Sequence, residues 1–273
     1  MRLRELGAGA VSARTFHAAA LAQLEYFWPQ FTGARAPSVL EGKSRLLTKV
    51  ADDAKLRLDA SALRDLAAEV EWRKYTMLNL DDYAQAGRSG VAGLSPAKTL
   101  EMLAAYEEAK IASNQIDWED VLVLSLGLLR SEPRALAHVH QQYRFFTVDE
   151  YQDISPLQQA LLNTWLGDRE DLCVVGDPNQ TIYSFTGATS GFLHGFTERY
   201  PEAKVVDLTQ NYRSTQQLVR FSNRLRTTDD GGLESANEAG IAPRILTFPS
   251  TATEAQAVAK SIQELLAKKV KPS

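Results

Sequence analysis

The chain has 273 residues, of which 44% are hydrophobic and 23% are charged, so it can bury a core and form two units or one domain with a large insertion. Lys and Arg total 30 against 34 Asp and Glu, and the formal net charge of −4 excludes a surface that is basic throughout. A nucleic-acid site must therefore be a local groove.

The cysteine and hydropathy patterns exclude further classes. Cys173 is the single cysteine, so an internal disulfide and a cysteine-cluster metal site are excluded, and its apolar neighbours predict a buried side chain. No apolar run reaches transmembrane length, and the first residues lack the hydrophobic core of a signal peptide. We therefore expect a cytoplasmic protein with no membrane partner.

The first 50 residues are modestly basic, with seven Lys and Arg against three acidic residues, which is compatible with DNA binding but does not demonstrate it. Residues 1–9 have the pattern of a helix end, and Val11–His17 predicts a short strand that leads into a helix over Phe16–Phe27. Thr15 is the predicted N-cap of this helix, because its hydroxyl can accept a hydrogen bond from the first turn.

Residues 28–97 contain charged helical patterns separated by proline and glycine, which predict an all-helical insertion. A clear three-four spacing of apolar side chains is formed by Leu63, Leu66, Ala67 and Val70. Gly42-Lys43-Ser44 resembles the end of a phosphate-binding loop, but position 37, where that motif requires glycine, is a proline. We therefore predict that Lys43 faces solvent.

The next two helices are indicated by their first residues. Ser95 and Pro96 predict a helix start, and the apolar stripe of that helix consists of Leu100, Leu103, Ala104 and Ile111. Asp117 begins the following helix, where three acidic residues favour the positive end of the helix dipole. A structural cap is the favoured role of Asp117, and a contribution to a nucleotide site is the alternative.

A short apolar run over Phe145–Val148 ends in two adjacent carboxylates, Asp149 and Glu150. This is the pattern of a parallel strand that presents charge at its carboxyl end, where open α/β sheets bind ligands. Adjacent strand residues point to opposite faces, so we expect the two carboxylates to have different roles and not to bind one ligand together. One can hold hydrated Mg²⁺ while the other orients or deprotonates a water molecule.

Two later phrases follow the same design. Leu172–Val175 is apolar and leads into a polar turn ending in Gln180, which can reach the same sheet edge as Asp149. Arg213 follows Asn211 and Tyr212 and offers a planar guanidinium suited to phosphate oxygens. Carboxylates, an amide and an arginine are the groups with which proteins position and neutralise a transferring phosphoryl group.

Together these sequence motifs resemble those of the UvrD/PcrA/Rep group of superfamily 1 DNA helicases in their order, spacing and residue identities. Asp149–Asp153 resembles the Walker B motif of that family, Val174–Ala188 its motif III and Leu208–Ser214 its motif IV. The resemblance implies an ATP-dependent DNA helicase that moves 3′ to 5′ on single-stranded DNA in repair or replication. It also implies ATP and Mg²⁺ as cofactors, and single-stranded DNA and duplex junctions as partners.

The resemblance assigns roles to individual residues. Asp149 would bind Mg²⁺, Glu150 would activate the attacking water, and Gln180 and Arg213 would sense the γ-phosphate. Glu150, Gln180 and Arg213 are therefore the predicted catalytic residues. Taken singly, an Asp-Glu pair is also the pattern of a solvated turn, and an Asn-Tyr-Arg phrase that of a surface ion pair.

Four side chains are predicted to contact DNA. The resemblance places Tyr183 and Phe185 directly after the γ-phosphate glutamine, and aromatic rings stack on bases of any sequence. Phe16 and His17 match the family's motif Ib, which lies along the DNA path. Many relatives have tryptophan at position 185 and arginine at position 186, so a weaker phosphate contact is expected here. The alternative is a core role for the three aromatic rings and a structural role for His17.

The predicted fold class is α/β: the parallel sheet of a RecA-like P-loop NTPase, with an all-helical insertion and the start of a second RecA-like domain. Later strands are predicted at Lys204–Leu208 and Ile245–Phe248, and later helices at Gln216–Arg226 and Glu254–Lys268. The predicted domains are a first motor domain in two parts, the insertion between these parts and the start of a second motor domain: residues 1–27 and 98–206, 28–97, and 207–273.

The motif GxxxxGK[ST], which cradles the β- and γ-phosphates, does not occur in the sequence, and the family's later motifs V and VI are absent too. We therefore expect the chain to correspond to an internal segment of such a helicase, with little or no ATPase activity by itself. A non-catalytic module that binds single-stranded DNA and an inactive fragment are the alternatives. A nuclease of the same superfamily has little support, because no carboxylate-lysine cluster follows the motor.

Overall fold

The computed structural model describes residues 11–226 and 232–270, and the chain divides into two compact units, Met1–Ala203 and Lys204–Ser273. The helix end predicted over residues 1–9 lies outside the described residues. Of the helices in the described part, none is both long and apolar enough to span a lipid bilayer.

The first unit is mainly helical, with short strands between the helices. In chain order its elements are α1 (Phe16–Thr32), β1 (Ser38–Val39), α2 (Lys43–Asp53), α3 (Ala60–Tyr75), α4 (Leu80–Gln85), α5 (Pro96–Ala112), β2 (Gln115–Ile116), α6 (Trp118–Ser131), α7 (Pro133–Gln142), β3 (Phe146–Val148), α8 (Pro156–Leu166), β4 (Leu172–Val174), α9 (Gly191–His194) and α10 (Phe196–Arg199). Short 3₁₀ turns occupy Tyr151–Asp153, Pro178–Gln180 and Ser184–Thr186.

The predicted helix starts are confirmed, and side-chain caps explain them. Thr15 accepts a hydrogen bond from the backbone N–H of Ala18, so α1 begins at residue 16. Ser95 caps α5 in the same way. Asp117 and Asp120 form a reciprocal capping box at the start of α6, which confirms the structural cap.

Three hydrophobic cores lie in the described part of the first unit, and the smallest consists of Val148, Tyr151, Ile154 and Leu162. The first is formed by α1, α6, α7 and α8, and its buried residues include Leu24, Leu122, Leu129, Val139 and Leu161. The second is formed by α2, α3, α4 and α5, and its buried residues include Leu47, Leu66, Val70, Met102 and Tyr106. Helix α5 thus shares its core with the helices of the predicted insertion, while the domain boundaries themselves stay predictions.

The apolar stripe predicted for α5 is wrong at its last position. Ile111 is 79% exposed, whereas Leu103, Tyr106 and Lys110 are buried. The buried face of α5 therefore ends in a charged residue, because the ammonium group of Lys110 reaches Glu107 of α5 itself and Asp117 and Asp120 at the start of α6.

The strand predicted before Asp149 is confirmed, and it is parallel. Strand β3 pairs with β4 so that Phe146 lies opposite Leu172 and Val148 opposite Val174. Because the two strands run in the same direction, the turns that follow them lie at the same edge of this two-stranded sheet.

Two strand-related predictions are wrong. Cys173 is exposed, because alternate residues of β4 face opposite sides and Cys173 shares its side with the exposed Thr147. The strand predicted over Val11–His17 is not formed: residues 11–15 pair with no strand in the described part of the chain, and α1 begins at residue 16.

The second unit contains β5 (Gln210–Asn211), α11 (Gln216–Asn223), β6 (Glu234–Ser235) and α12 (Thr251–Ala267). The helix predictions here are confirmed, with α11 ending three residues early. The strands predicted at Lys204–Leu208 and Ile245–Phe248 are not formed: these residues belong to none of the sheets in the described part of the chain. Their apolar side chains are exposed instead.

A buried network of charged side chains joins the two larger cores of the first unit. The Nζ atoms of Lys74 and Lys110 lie 2.8 and 3.1 Å from the same oxygen, Oδ2 of Asp117. Both ammonium groups also contact Asp120 and Glu107. The side chains of Lys74, Lys110 and Asp117 are only 2–4% exposed, so solvent cannot replace a lost partner.

Charge balance allows this network to be buried. Arg73 contributes a third cation, 2.6 Å from Glu107, so that cations and carboxylates are equal in number. Burial by itself would raise the pKa of Asp117, but Lys74 and Lys110 hold the pKa of this carboxyl well below its usual range. Asp117 is therefore charged at neutral pH although it is buried.

Lys43 does not face solvent, so that prediction is wrong. Its Nζ atom lies 2.8 Å from Glu71 and 2.9 Å from Glu119, and its side chain is largely covered. The two carboxylates belong to α3 and α6, which are far from Lys43 in the sequence, so the local pattern around Lys43 contained no sign of them.

We expect Asp117→Asn to lower the free energy of unfolding by about 3 kcal/mol, because it leaves Lys74 and Lys110 short of a buried counter-charge. Asp59→Asn is the matched control, since Asp59 caps α3 in an exposed position and asparagine caps equally well. Urea unfolding followed by tryptophan fluorescence reports on the first unit, which contains all four tryptophans. Equal effects of the two substitutions would contradict a structural role for the network.

The same network predicts a loss of stability in acid. The pKa of Asp117 is lower in the folded chain than its usual value of about 3.9, so the unfolded chain binds the proton more tightly. The contribution of Asp117 is therefore complete above about pH 5 and is lost as the pH falls below about 4. Urea midpoints measured from about pH 6 to about pH 3 should fall less steeply for Asp117→Asn than for the wild type, and parallel curves would contradict this.

Candidate functional site

The turn after β3 presents two exposed carboxylates. The strand ends at Val148, and Glu150 adopts a left-handed backbone conformation with φ 53° and ψ 40°. A non-glycine residue in this region is strained, and such strain is concentrated at functional sites. The backbone N–H of Glu150 donates to Oδ1 of Asp149 at 3.0 Å, which orients the Asp149 carboxylate.

Gln152 is the centre of the polar contacts behind this turn. It is buried, its Nε2 donates to Oε2 of Glu150 at 2.7 Å, and its Oε1 accepts the backbone N–H of Asp177 at 3.1 Å. A Cβ atom at Gly176 would lie 2.6 Å from Oε1 of Gln152, so only glycine permits this approach. Gln152 therefore ties the turn after β3 to the turn after β4.

Gln180 belongs to the same system of turns. Its Nε2 donates to Oδ2 of Asp177 at 2.9 Å, so Gln180 and Glu150 are linked through Asp177 and Gln152. The side chain of Gln180 is exposed. Arg213 lies in the second unit with an exposed side chain, and its backbone N–H donates to Oδ1 of Asn211 at 3.0 Å.

A groove of about 420 Å³ opens beside the acidic turn. Four carboxylates line it, those of Glu71, Asp149, Glu150 and Asp153. It is also lined by Tyr75 of α3, Phe16 of α1 and Tyr183. The groove thus brings the predicted metal ligand, the predicted water-activating residue and two of the predicted DNA contacts to one place.

The acidic turn fits the Mg²⁺ ion that the resemblance implies. Asp149 and Glu150 offer exposed carboxylate oxygens, the ligands that Mg²⁺ prefers. The described residues contain no cluster of three or more His, Cys, Asp or Glu side chains that could form a closed metal cage. This donor set suits an ion that keeps several of its waters and uses few carboxylates.

Tyr183 and Phe185 stand on a short loop with their rings in solvent, which contradicts the alternative that they belong to the core. They are 50% and 69% exposed, and their ring centroids lie 6.3 Å apart. Gly187 ends this aromatic loop, residues 181–187, with φ +94°. A Cβ atom there would meet Thr76, the C-cap of α3, at 2.9 Å, so the loop rests against the end of α3.

Phe16 and His17 lie at different depths. The ring of Phe16 stacks on buried Trp165 at 5.6 Å, which favours the core alternative, although Phe16 also lines the groove. His17 lines a second cavity of about 440 Å³ together with Tyr75 and Trp118. Burial and the nearby Lys43 lower the pKa of His17, so its imidazole is neutral at pH 7.

Sequence reasoning missed three residues of this site. Gln152 and Asp153 stand inside the recognised Asp149–Asp153 phrase, so a signal existed, but their contacts depend on loops that are distant in the sequence. Glu71 had no signal at all, because only the packing of α3 brings it to the groove.

Comparison with known proteins gives consistent matches. A family model described as the UvrD/REP helicase N-terminal domain matches residues 2–201. The chain is 38% identical over 279 residues to the ATP-dependent DNA helicase UvrD2 of Mycobacterium bovis, covering 98% of this chain and 40% of that protein. It is 31% identical over 211 residues to the ATP-dependent DNA helicase PcrA of Leuconostoc citreum, covering 77% of this chain and 28% of that protein. The chain is 27% identical over 307 residues to the ATP-dependent DNA helicase UvrD1 of Mycobacterium bovis, covering 97% of this chain and 40% of that protein.

The chain thus spans 28–40% of the length of these relatives. The matched family model covers well over half of the chain, and it includes the acidic turn, the groove and the aromatic loop.

The backbone strain at Glu150 can be tested by comparing two substitutions. Both Glu150→Gly and Glu150→Ala remove the hydrogen bond to Gln152, but only glycine adopts φ 53° without steric cost. We expect the glycine variant to be more stable than the alanine variant by about 0.5–1 kcal/mol in urea unfolding. At Asp168, an exposed residue without positive φ, the order should reverse. The same order at both positions would argue against strain.

Proposed function

The chain belongs to the UvrD/REP helicase family, and on this premise we propose that it is part of an ATP-dependent DNA helicase. In this proposal the first unit supplies the acidic turn of the ATPase site and a contact for single-stranded DNA. Movement from 3′ to 5′, duplex junctions as substrates, and a role in repair or replication belong to the proposal for the whole protein.

One observation carries the proposal: a single groove is lined by Asp149, Glu150 and Tyr183. In this proposal the carboxylates serve a metal-bound phosphate, and the exposed ring stacks on a base of the DNA. Their contact with one cavity gives nucleotide and DNA a shared surface, which an ATP-driven motor on DNA requires. The parallel pairing of β3 with β4 supports a RecA-like arrangement, in which ligands meet the carboxyl ends of strands.

Each residue of the acidic turn has a proposed task. Asp149 holds the hydrated Mg²⁺ ion, which when bound neutralises phosphate charge. Glu150 accepts a proton from the attacking water, and its carboxylate is held in place by Gln152 at 2.7 Å. Gln180 and Arg213 contact the γ-phosphate in this proposal. We expect weak ATP binding by the chain alone, because its sequence lacks the GxxxxGK[ST] motif.

The charge of the groove limits how DNA can bind. Glu71 is paired with Lys43, but three further carboxylates line the groove, so a DNA phosphate placed beside them would be repelled. The exposed faces of Tyr183 and Phe185 carry no charge and accept a stacked base without this cost. DNA therefore meets the aromatic loop through its bases, with the phosphates turned away from Asp149, Glu150 and Asp153.

A second candidate function is a module that binds single-stranded DNA without catalysis. The exposure of Tyr183 and Phe185 favours it, since stacking needs neither ATP nor Mg²⁺. Both candidates include the same base contact, so one binding experiment tests the part that they share.

We expect Tyr183→Ala and Phe185→Ala each to weaken binding of a fluorescein-labelled oligothymidylate roughly 5- to 150-fold in fluorescence anisotropy, because one stacked base is worth about 1–3 kcal/mol. The dependence of the affinity on salt should stay unchanged, because the rings contact bases and not phosphates.

Phe145→Ala is the matched control for this measurement. Phe145 is 77% exposed, so it resembles Phe185 in accessibility, but it does not line the groove. Wild-type affinity in both loop variants, or an equal loss in Phe145→Ala, would contradict the proposed DNA contact.

A further inference from the structure

The aromatic loop is attached to the first unit at both of its ends. At its end, Gly187 packs against Thr76 at the end of α3. Just beyond it, the backbone N–H of Thr189 donates to the carbonyl of Ile154 at 3.2 Å. At its beginning, the backbone N–H of Ile182 donates to Oδ1 of Asp153 at 3.2 Å. Of these contacts, only the last depends on a polar side chain.

Asp153 stands at a junction of the site. Its Oδ1 accepts a hydrogen bond from the backbone N–H of Ile182, and its Oδ2 lies 3.4 Å from Nε2 of Gln152. The same Nε2 donates to Glu150 at 2.7 Å, and the backbone N–H of Asp153 donates to the carbonyl of Glu150 at 2.9 Å. Asp153 thus connects the residue before Tyr183 with the turn that carries Glu150.

The charge of Asp153 is unfavourable for its position. It lines the groove together with the carboxylates of Glu71, Asp149 and Glu150. Its hydrogen-bond partner, Ile182, directly precedes the exposed Tyr183. For a polyanion such as DNA, a fourth carboxylate lowers the affinity. Its use lies in its hydrogen-bonding capacity, because a carboxylate is a strong acceptor for a backbone N–H.

We propose that Asp153 is a positioning residue, which holds the aromatic loop in the conformation that presents Tyr183 and Phe185 to single-stranded DNA. Asp153 acts through the backbone of Ile182 and does not touch DNA itself. The proposal deepens the proposed function and rests on it. It separates two effects of one carboxylate that have opposite signs: the hydrogen bond favours DNA binding and the charge opposes it.

Two substitutions at position 153 separate these effects. Asp153→Ala removes both the charge and the acceptor, and we expect it to weaken binding of labelled oligothymidylate about 5- to 10-fold. Asp153→Asn removes the charge but keeps an oxygen that can accept the N–H of Ile182. We expect its affinity to equal or exceed that of the wild type. A purely electrostatic role predicts that both variants bind more tightly.

Asp168→Ala is the charge-matched control, because Asp168 is an exposed acid of the same unit outside the groove. It should leave the affinity unchanged or raise it slightly. Urea midpoints of all variants identify any general loss of folding: an unfolded Asp153→Ala chain would be replaced by Asp153→Ser, whose shorter side chain also fails to reach Ile182.

A triple substitution tests whether Asp153 acts through the loop. In a chain that already carries Tyr183→Ala and Phe185→Ala, Asp153→Ala should cause no further loss of affinity, because the rings that it positions are gone. An undiminished loss in that background would overturn the inference.

The outcomes distinguish this inference from the proposed function. If the ring variants weaken binding while Asp153→Ala binds as tightly as the wild type or more tightly, the positioning role is wrong and the proposed DNA contact stands. If Asp153→Asn weakens binding as much as Asp153→Ala, the charge and not the acceptor matters, and the inference is overturned. If the ring variants have no effect, the proposed DNA contact of the rings and the positioning role of Asp153 are both wrong.

Discussion

The first unit depends on a carboxylate that is buried without losing its charge. Asp117 caps α6 and at the same time receives the ammonium groups of Lys74 and Lys110. A buried charge is tolerated only when its partners are buried with it, because removal from water costs several kcal/mol per ion. This requirement fixes the ends of α3 and α5 against the start of α6.

The position of α3 determines the shape of the candidate site. Lys74 is held by the buried network, and the next two residues, Tyr75 and Thr76, form the wall against which Gly187 packs. A charge network between helices therefore positions a loop that carries two exposed rings. The other support of that loop is polar as well, since Asp153 receives the N–H of Ile182. Packing from one side and a hydrogen bond from the other keep large aromatic side chains in solvent, where the hydrophobic effect alone would collapse them onto the surface.

The groove separates two kinds of chemistry over a short distance. Its carboxylates suit a hydrated cation, while the exposed ring of Tyr183 suits a base. Gln152 lies behind both, since it contacts Glu150, Asp153 and the backbone of Asp177. A shift of the β4 turn would therefore reach the carboxylate of Glu150 and the base of the aromatic loop through one side chain.

The sequence by itself determined the features that depend on near neighbours: the capped start at Thr15, the strand that ends before Asp149, and the motif phrases that identify the family. These follow from local hydrogen bonds and spacing. The predictions of burial from the sequence were wrong at Lys43, which is paired with carboxylates of α3 and α6, and at Cys173, whose strand has one exposed face. Only the tertiary structure decided these positions and the contacts of the groove, because the burial of a charge or an apolar side chain depends on partners that are distant along the chain.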